Sequence, residues 1–388
     1  MITVAQALSL IEKHVKSNNF CELGITDALG FVLAQDVVSD IDLPPFRQSA
    51  MDGFAVRTWA ENEFTIKGEI QAGSSEEVSL QKGEAVRIYT GARVPRDADR
   101  VIMKEHVEDL TSHIQVVNFQ QKTNIKAQGE HIKRGDVVLS KGVVLNTAAL
   151  SFLAGLGVAK IKVYKKPNVA VLISGNELLQ PGDPWEQAKT YDSNSFILQF
   201  LLKSIGVEQV TLHYVKDDVQ ACVSTVGKLL ESHDFIVATG GISVGDYDLM
   251  HMAFEANHVE EQFYKINQKP GKPIYFGLKG DKVIFGLPGN PAACFINFQV
   301  YVTPALRRRF GKTSFSFKIG VCDQRIVNRS NKALFLRGTC TNGILEVFEN
   351  QSSSLLQSLI GANVLVYIPE DVEFIEIGDQ VQYLDLVQ

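Results

Sequence analysis

Glycines, lysines and carboxylates collect at the ends of short apolar runs in this sequence, where a fold can bring them to one small anionic ligand. Thr239-Gly240-Gly241-Ile242-Ser243-Val244-Gly245 follows the apolar run Phe235–Ala238. Paired glycines let backbone N–H groups approach a phosphate closely, and Ser243 adds a hydroxyl donor. A glycine turn without a ligand would use the same letters. The segment matches neither Gly-x-x-x-x-Gly-Lys-Ser/Thr nor Gly-x-Gly-x-x-Gly, so it is not a familiar nucleotide loop. Asp246 and Asp248 come directly after it, either as helix-start acids favoured by the macrodipole or as hard oxygen ligands. Lys265, Lys269 and Lys272 are interleaved with Pro270, Gly271 and Pro273. A stiff loop of that kind suits contact with a phosphate or oxyanion, and it is equally compatible with solvated lysines.

Three more segments carry unusual chemistry. Ser174-Gly175-Asn176-Glu177 ends the run Val169–Ile173, and its acid either faces solvent or faces a ligand. Arg87-Ile88-Tyr89-Thr90-Gly91-Ala92 puts a hydroxyl and a glycine at another strand end. In Pro44–Ala55, turn chemistry does not by itself call for Met51-Asp52-Gly53 after Ser49-Ala50, although an Asp-Gly turn between strands is the plain alternative. Carboxylates outnumber other reactive groups at these loop ends, and such hard oxygens suit magnesium bridging a phosphate. The eight histidines form no close-spaced ligand pair, so no zinc site is expected. The absence of Gly-x-Ser-x-Gly argues against a serine hydrolase.

The elements that must hold these groups can be read from periodicity. Strand and helix alternate from residue 167 to 310, which predicts a three-layer α/β domain with a largely parallel sheet. Parallel sheets bind ligands beyond the carboxyl ends of their strands, where the loops above fall. Its first helix is expected to be capped by Ser193 or Asn194 and to bury Phe196, Ile197, Phe200, Leu201 and Ile205. Residues 41–140 alternate in short stretches and predict an inserted β-rich domain. Residues 1–40 and 141–166 would form a linking part, with a helix capped by Thr3 whose spacing runs through Ala5, Leu8, Ile11, Glu12 and Val15, and a strand near Phe31–Val37. Residues 311–388 predict a small β-barrel or sandwich.

Composition bounds the function. At 388 residues and about 150 per domain, two or three domains are expected. A net charge of -6 excludes a general nucleic-acid binder relying on phosphate neutralisation. The runs Lys165-Lys166 and Arg307-Arg308-Arg309 read as solvated surface. Five scattered cysteines without a Cys-x-x-Cys pair point to reduced thiols. With neither a secretory start nor a bilayer-length apolar stretch, a cytoplasmic protein with no membrane partner is expected.

Taken in order, these segments resemble the molybdopterin molybdenumtransferases, the MoeA and gephyrin E-domain family. The resemblance rests on Pro45–Ala55, Tyr89–Ala92, Gly129-Glu130 with Gly135-Asp136, Ser174–Leu178, Tyr191–Asn194, Thr239–Gly245, Lys269–Pro273 and Leu287–Pro291. It implies four structural parts per subunit, a homodimer, adenylated molybdopterin and molybdate as substrates, and magnesium assisting AMP release. The catalytic residues it implies are Asp52, Thr90, Asp136, Glu177, Asp217 and Asp248, of which Glu177, Asp217 and Asp248 would hold the metal. The substrate-binding residues it implies are Asp192, Gly240, Gly241, Ser243, Lys265, Lys269, Lys272, Arg337 and Ser353. Phe335-Leu336-Arg337-Gly338 fits the family pattern, whereas Gln351-Ser352-Ser353-Ser354 departs from Gln-Gly-Ser. A non-catalytic scaffold of the gephyrin kind and a metal-dependent nucleotide pyrophosphohydrolase remain as alternatives.

Overall fold

The computed structural model describes residues 1–17, 19–57, 61–118, 121–242, 248–312 and 316–386. The chain divides into two compact units: residues 1–21, 30–34 and 162–388 form one, and 22–29 with 35–161 form the other.

The first unit begins with helix α1 (Val4–His14), capped by a reciprocal box between Thr3 and Gln6. Its buried stripe is Val4, Ala7 and Ile11, continued by Val15. Ala5 and Glu12 face outward, so the expected spacing sat one position off the face that packs.

Six strands follow: β1 (Val169–Ser174), β2 (Val210–Val215), β3 (Phe235–Thr239), β4 (Glu260–Tyr264), β5 (Tyr275–Lys279) and β6 (Lys282–Leu287). They pair in the order β2-β1-β3-β6-β5-β4, parallel from β2 to β6 and antiparallel across β6-β5-β4. The largely parallel sheet is therefore present, with an antiparallel edge that Glu260-Glu261-Gln262 disguised in the sequence. Helices α2 (Asn194–Ser204), α3 (Val219–Ser232), α4 (Leu249–Ala256), α5 (Pro291–Asn297) and α6 (Thr303–Arg309) complete the layers. Two apolar cores form, one around Val169, Val171, Phe235 and Phe285, the other around Ala170, Leu172, Ile236 and Phe254. The alternation of partners along β1 and β3 is the period-two exposure of a strand buried on both faces.

Helix α2 buries Leu198, Leu201 and Leu202 and leaves Phe196 and Phe200 outside, their rings tilted against each other with centroids 6.2 Å apart. Its cap is also displaced: Ser193 makes no side-chain bond, and the buried Asp192 accepts the Ser195 N–H at 3.1 Å instead. The arginine run is not a solvated patch. Residues i, i+1 and i+2 of a helix point about 100° apart, so they cannot share one face. Arg309 is buried over the Phe235 ring at 5.5 Å, and Arg308 donates to the Val15 carbonyl at 2.7 Å, fastening the end of α1.

Strands β7 (Lys318–Cys322), β8 (Ala333–Thr341), β9 (Ile344–Val347), β10 (Val364–Ile368) and β11 (Gln380–Asp385) close into a five-stranded barrel in the order β8-β9-β7-β11-β10-β8. Closure removes the unpaired edges that strands this short would otherwise expose.

The second unit is built on a six-stranded sheet, with Gly53–Val56 between Glu84–Ile88 and Arg100–Met103. Its two faces bury separate clusters, one with Val86 and Val101, the other with Phe54 and Phe64. The strand expected near Phe31–Val37 is reduced to a bridge at Leu33 and a two-residue strand, Val37–Val38. Among the described residues no helix is long and apolar enough to cross a membrane.

Candidate active site

Chain reversal between β1 and β3 creates the switch point at which doubly wound sheets bind ligands. A cleft of about 670 Å³ opens there, walled by Glu177, Asp192, Asn194, Thr239, Gly240 and Asn290 among others, with Ser354 contributed by the barrel side.

Each strand end is locked to its neighbour. The Ser174 hydroxyl at the end of β1 donates to Asp217 after β2, and the other oxygen of Asp217 accepts the Asn176 N–H at 3.0 Å. Gly240 has φ +81°, and a Cβ there would lie 2.0 Å from the Ser174 carbonyl oxygen. Gly241, at φ +63°, would meet the Ser174 hydroxyl and Met250. Close packing thus demands both glycines before any ligand is considered. Asn194 draws the loops together by donating to Thr239 Oγ1 at 3.0 Å and to the Gly289 carbonyl at 2.8 Å. Its sequence signal was spent on a helix cap, which hid this role.

The acids differ in what they do. Glu177 stands over Gly175, and its carboxylate takes no hydrogen bond among the described residues. Asp192 spans Ser195 N–H and the Tyr214 hydroxyl, the latter at 3.1 Å. Asp248 caps α4 through the His251 N–H at 3.1 Å and accepts the Tyr264 hydroxyl. Burial first, then that bond to Asp248, push the Tyr264 phenol well above its ordinary value. Among the described residues no three His, Cys, Asp or Glu side chains gather as a metal cage. Glu177 and Asp217 nevertheless present hard oxygens from adjacent loops. That donor set fits magnesium of the kind that completes its shell with substrate phosphate and water.

The lysine loop is pinned from beneath. Buried Gln268 donates to the Pro270 carbonyl at 3.0 Å and to Asn297 at 2.6 Å, while Tyr301 donates to its carbonyl oxygen. Gly271 at φ +77° leaves room for Asn297, which a Cβ would overlap. Lys269 is exposed and Lys272 half-buried on this frame, and Lys265 lies over the Tyr264 ring at 4.4 Å. Pro273 reaches the cleft wall.

Arg337 is fully buried, and its fork is occupied. It donates to Gln351 at 3.0 Å and to the Ser352 carbonyl at 2.9 Å, while Gln351 returns bonds to the Arg337 and Phe348 carbonyls. The guanidinium expected to face an oxyanion thus holds the 348–352 loop. Ser353, on that loop, accepts the Ala292 N–H through its carbonyl at 3.1 Å and meets Asn290 at 3.5 Å. Ser243, with Asp246, lies outside the described residues.

In the second unit, one oxygen of Asp52 accepts both the N–H and the hydroxyl of Thr90 at 2.8 Å. The backbone donor first and the hydroxyl second hold the Asp52 carboxyl below its ordinary range. Arg47 clamps the carbonyls of Pro95, Arg96 and Ala98, and Gly53 passes where a Cβ would strike the Ile102 carbonyl. Exposed Asp136 accepts the Lys133 N–H of its own turn at 2.8 Å.

A cleft at the switch point of a mixed α/β sheet, a closed barrel leaning a loop into it and a separate β-rich unit define a multidomain α/β enzyme. Family models match in order: the MoeA N-terminal region (domain I and II) over residues 2–157, the probable molybdopterin binding domain over 170–308 and the MoeA C-terminal region (domain IV) over 320–386. With the molybdopterin molybdenumtransferase of Staphylococcus epidermidis 34% identical over 99% of this chain and 95% of that protein, the chain belongs to the molybdopterin molybdenumtransferase family and so to molybdenum cofactor biosynthesis. The Staphylococcus aureus enzyme of the same name is 36% identical over 80% of this chain and 76% of its own. The molybdopterin biosynthesis MoeA protein from Pyrococcus horikoshii superposes with a TM-score of 0.85 at 28% identity, over 100% of this chain and 99% of that one.

Proposed function

We propose that this protein inserts molybdate into adenylated molybdopterin and releases AMP. The observation that carries the reading is the cleft at the β1–β3 switch point, large enough for a nucleotide-linked pterin and walled by carboxylate, amide and hydroxyl groups. Gly240 and its neighbours would bring backbone donors to the pyrophosphate, with Lys265, Lys269 and Lys272 supplying positive charge nearby. Asn194 and Asp192 orient the ligand by holding the loops in place. Glu177 and Asp217 would hold magnesium, which when bound polarises the phosphorus–oxygen bonds. Asp248 fixes the start of α4. Ser353 and Ser354 would meet the molybdate, with Arg337 setting the loop that carries them. Asp52 with Thr90, and Asp136 on its own turn, are further candidates whose site would be completed in a homodimer, as the family resemblance implies.

The test is AMP release from adenylated molybdopterin by the purified protein, with magnesium, with and without molybdate. Molybdate-dependent release with metal retained on the pterin is expected. Release indifferent to molybdate would instead mark a pyrophosphohydrolase, and tight binding without release would mark a scaffold.

A further inference from the structure

A second pocket, of about 230 Å³, lies at the opposite edge of the sheet. Helix α2 starts beyond the carboxyl end of β1 and returns to the amino-terminal edge, where Ser204, Ile205 and Gly206 form one wall. Lys166, just before β1, forms another, and Phe310 and Lys312, just after α6, a third, with Phe31, Val32 and Tyr164 around them.

The charges here do not balance. Lys166 pairs with the exposed Glu208 at 2.6 Å and lies 4.3 Å from the Phe31 ring centre. Lys312 is half-buried, and no carboxylate among the described residues acts on it. Burial first, then Arg307 and Lys166, hold its ammonium below the ordinary range. Arg307 keeps a buried Nε without a hydrogen-bond partner among the described residues. Two lysines thus line a small cavity with no acid in its wall among the described residues, Arg307 acts on Lys312 from nearby, and Glu208 is spent on Lys166. Burying charge without a partner is costly, and a bound anion removes that cost. Lysines can also serve the carbonyl ends of helices, and α2 and α6 both end here.

We propose that this pocket is a binding site for a small tetrahedral oxyanion, held by Lys312 and Lys166 with Arg307 behind them. Its volume matches an inorganic oxyanion better than a nucleotide. The site is separate from the switch-point cleft and would bind whether or not the cleft is filled. An anion bound there at free concentration c stabilises the folded chain by RT ln(1 + c/Kd).

The experiment is thermal unfolding of the full chain in inorganic phosphate against chloride at equal ionic strength, paired with calorimetric titration of phosphate. The wild type is expected to melt higher in phosphate, the shift rising with the logarithm of concentration once the site fills, and to bind phosphate saturably in the calorimeter. Lys312→Gln should lose that increment and one phosphate per chain, yet melt no lower than wild type in chloride. Lys312→Arg should keep the increment. An equal phosphate response in wild type and Lys312→Gln overturns the proposal, as does no response in the wild type. A Lys312→Gln protein that melts lower in chloride by the same margin shows a helix-end role only, which also overturns it. AMP in place of phosphate should shift both proteins alike; a shift that depends on Lys312 overturns the assigned ligand size.

Discussion

At the residue scale, Asp52 and Arg337, expected from the resemblance to be catalytic and substrate-binding respectively, both make contacts that hold neighbouring chain. The Asp52 carboxylate is held by two donors from Thr90. Its folded value lies below the roughly 3.9 of a free aspartate, so the stabilisation is present above that value and is lost as pH falls through the depressed one. Carboxyl carbon NMR should report this, and Thr90→Val should move Asp52 part of the way back, because the backbone donor remains. A full return to the free value would mean that the N–H contributes nothing. Arg337 invites a larger change. Removing it as Arg337→Ala strips the Asn350 and Ser352 carbonyls of their guanidinium donors, leaves the Gln351 amide oxygen only the backbone N–H of residue 337 and opens a cavity. Bonds to a charged group are worth about 1.5–3 kcal/mol, so a loss of at least that size is expected in urea unfolding. Unchanged stability would return Arg337 to the role of a free oxyanion ligand.

Elements obey constraints that single residues do not display. The β1–β3 crossing tolerates nothing beyond a hydrogen at Gly240, since Ser174 O occupies the place of a Cβ. Gly240→Ala should therefore cost stability twice over, through left-handed backbone and through displacement of β1, and should weaken ligand binding in the cleft. Melting temperature and nucleotide affinity would both fall; a fall in affinity alone would assign the glycine to the ligand and not to the packing. Beneath the lysine loop, Tyr301→Phe leaves the buried Gln268 oxygen without its hydroxyl donor. An unsatisfied buried acceptor costs about 1–3 kcal/mol, measurable by denaturant unfolding. The misread face of α2 belongs to this scale too. Phe196 and Phe200 outrank Leu198 and Leu202 in size, yet the sheet takes the leucines because the helix is set by the Asp192 cap and the Asn194 ties.

For the whole molecule, the expected outcome is metal dependence, with no preformed cage among the described residues. Chelation should abolish AMP release and leave the melting temperature of the free protein nearly unchanged, because the folded acids are already satisfied or solvated. A large loss of thermal stability on chelation would instead indicate a structural metal. Sedimentation at micromolar protein should give a homodimer if Asp52 and Thr90 complete a partner's site; a monomer with full activity would remove that requirement.

The sequence alone determined the alternating α/β core, the strand-rich C-terminal part and the order of the unusual loops, because each depends on local periodicity and turn chemistry, whereas tertiary structure closed that last part into a barrel rather than a sandwich. Strand ends and glycine pairs are legible for the same reason: a buried strand must stop where polar residues begin. Only tertiary structure decided how those loops meet. It turned Asn194 into a tie from the start of α2 to two strand ends, filled the Arg337 fork with Gln351 and Ser352, and put Lys312 near Lys166 across nearly 150 residues of chain. Such contacts join residues far apart in sequence, where periodicity carries no information, and their partners are backbone carbonyls that every residue possesses. A side chain's type announces what it can bond; the fold settles what remains within its reach.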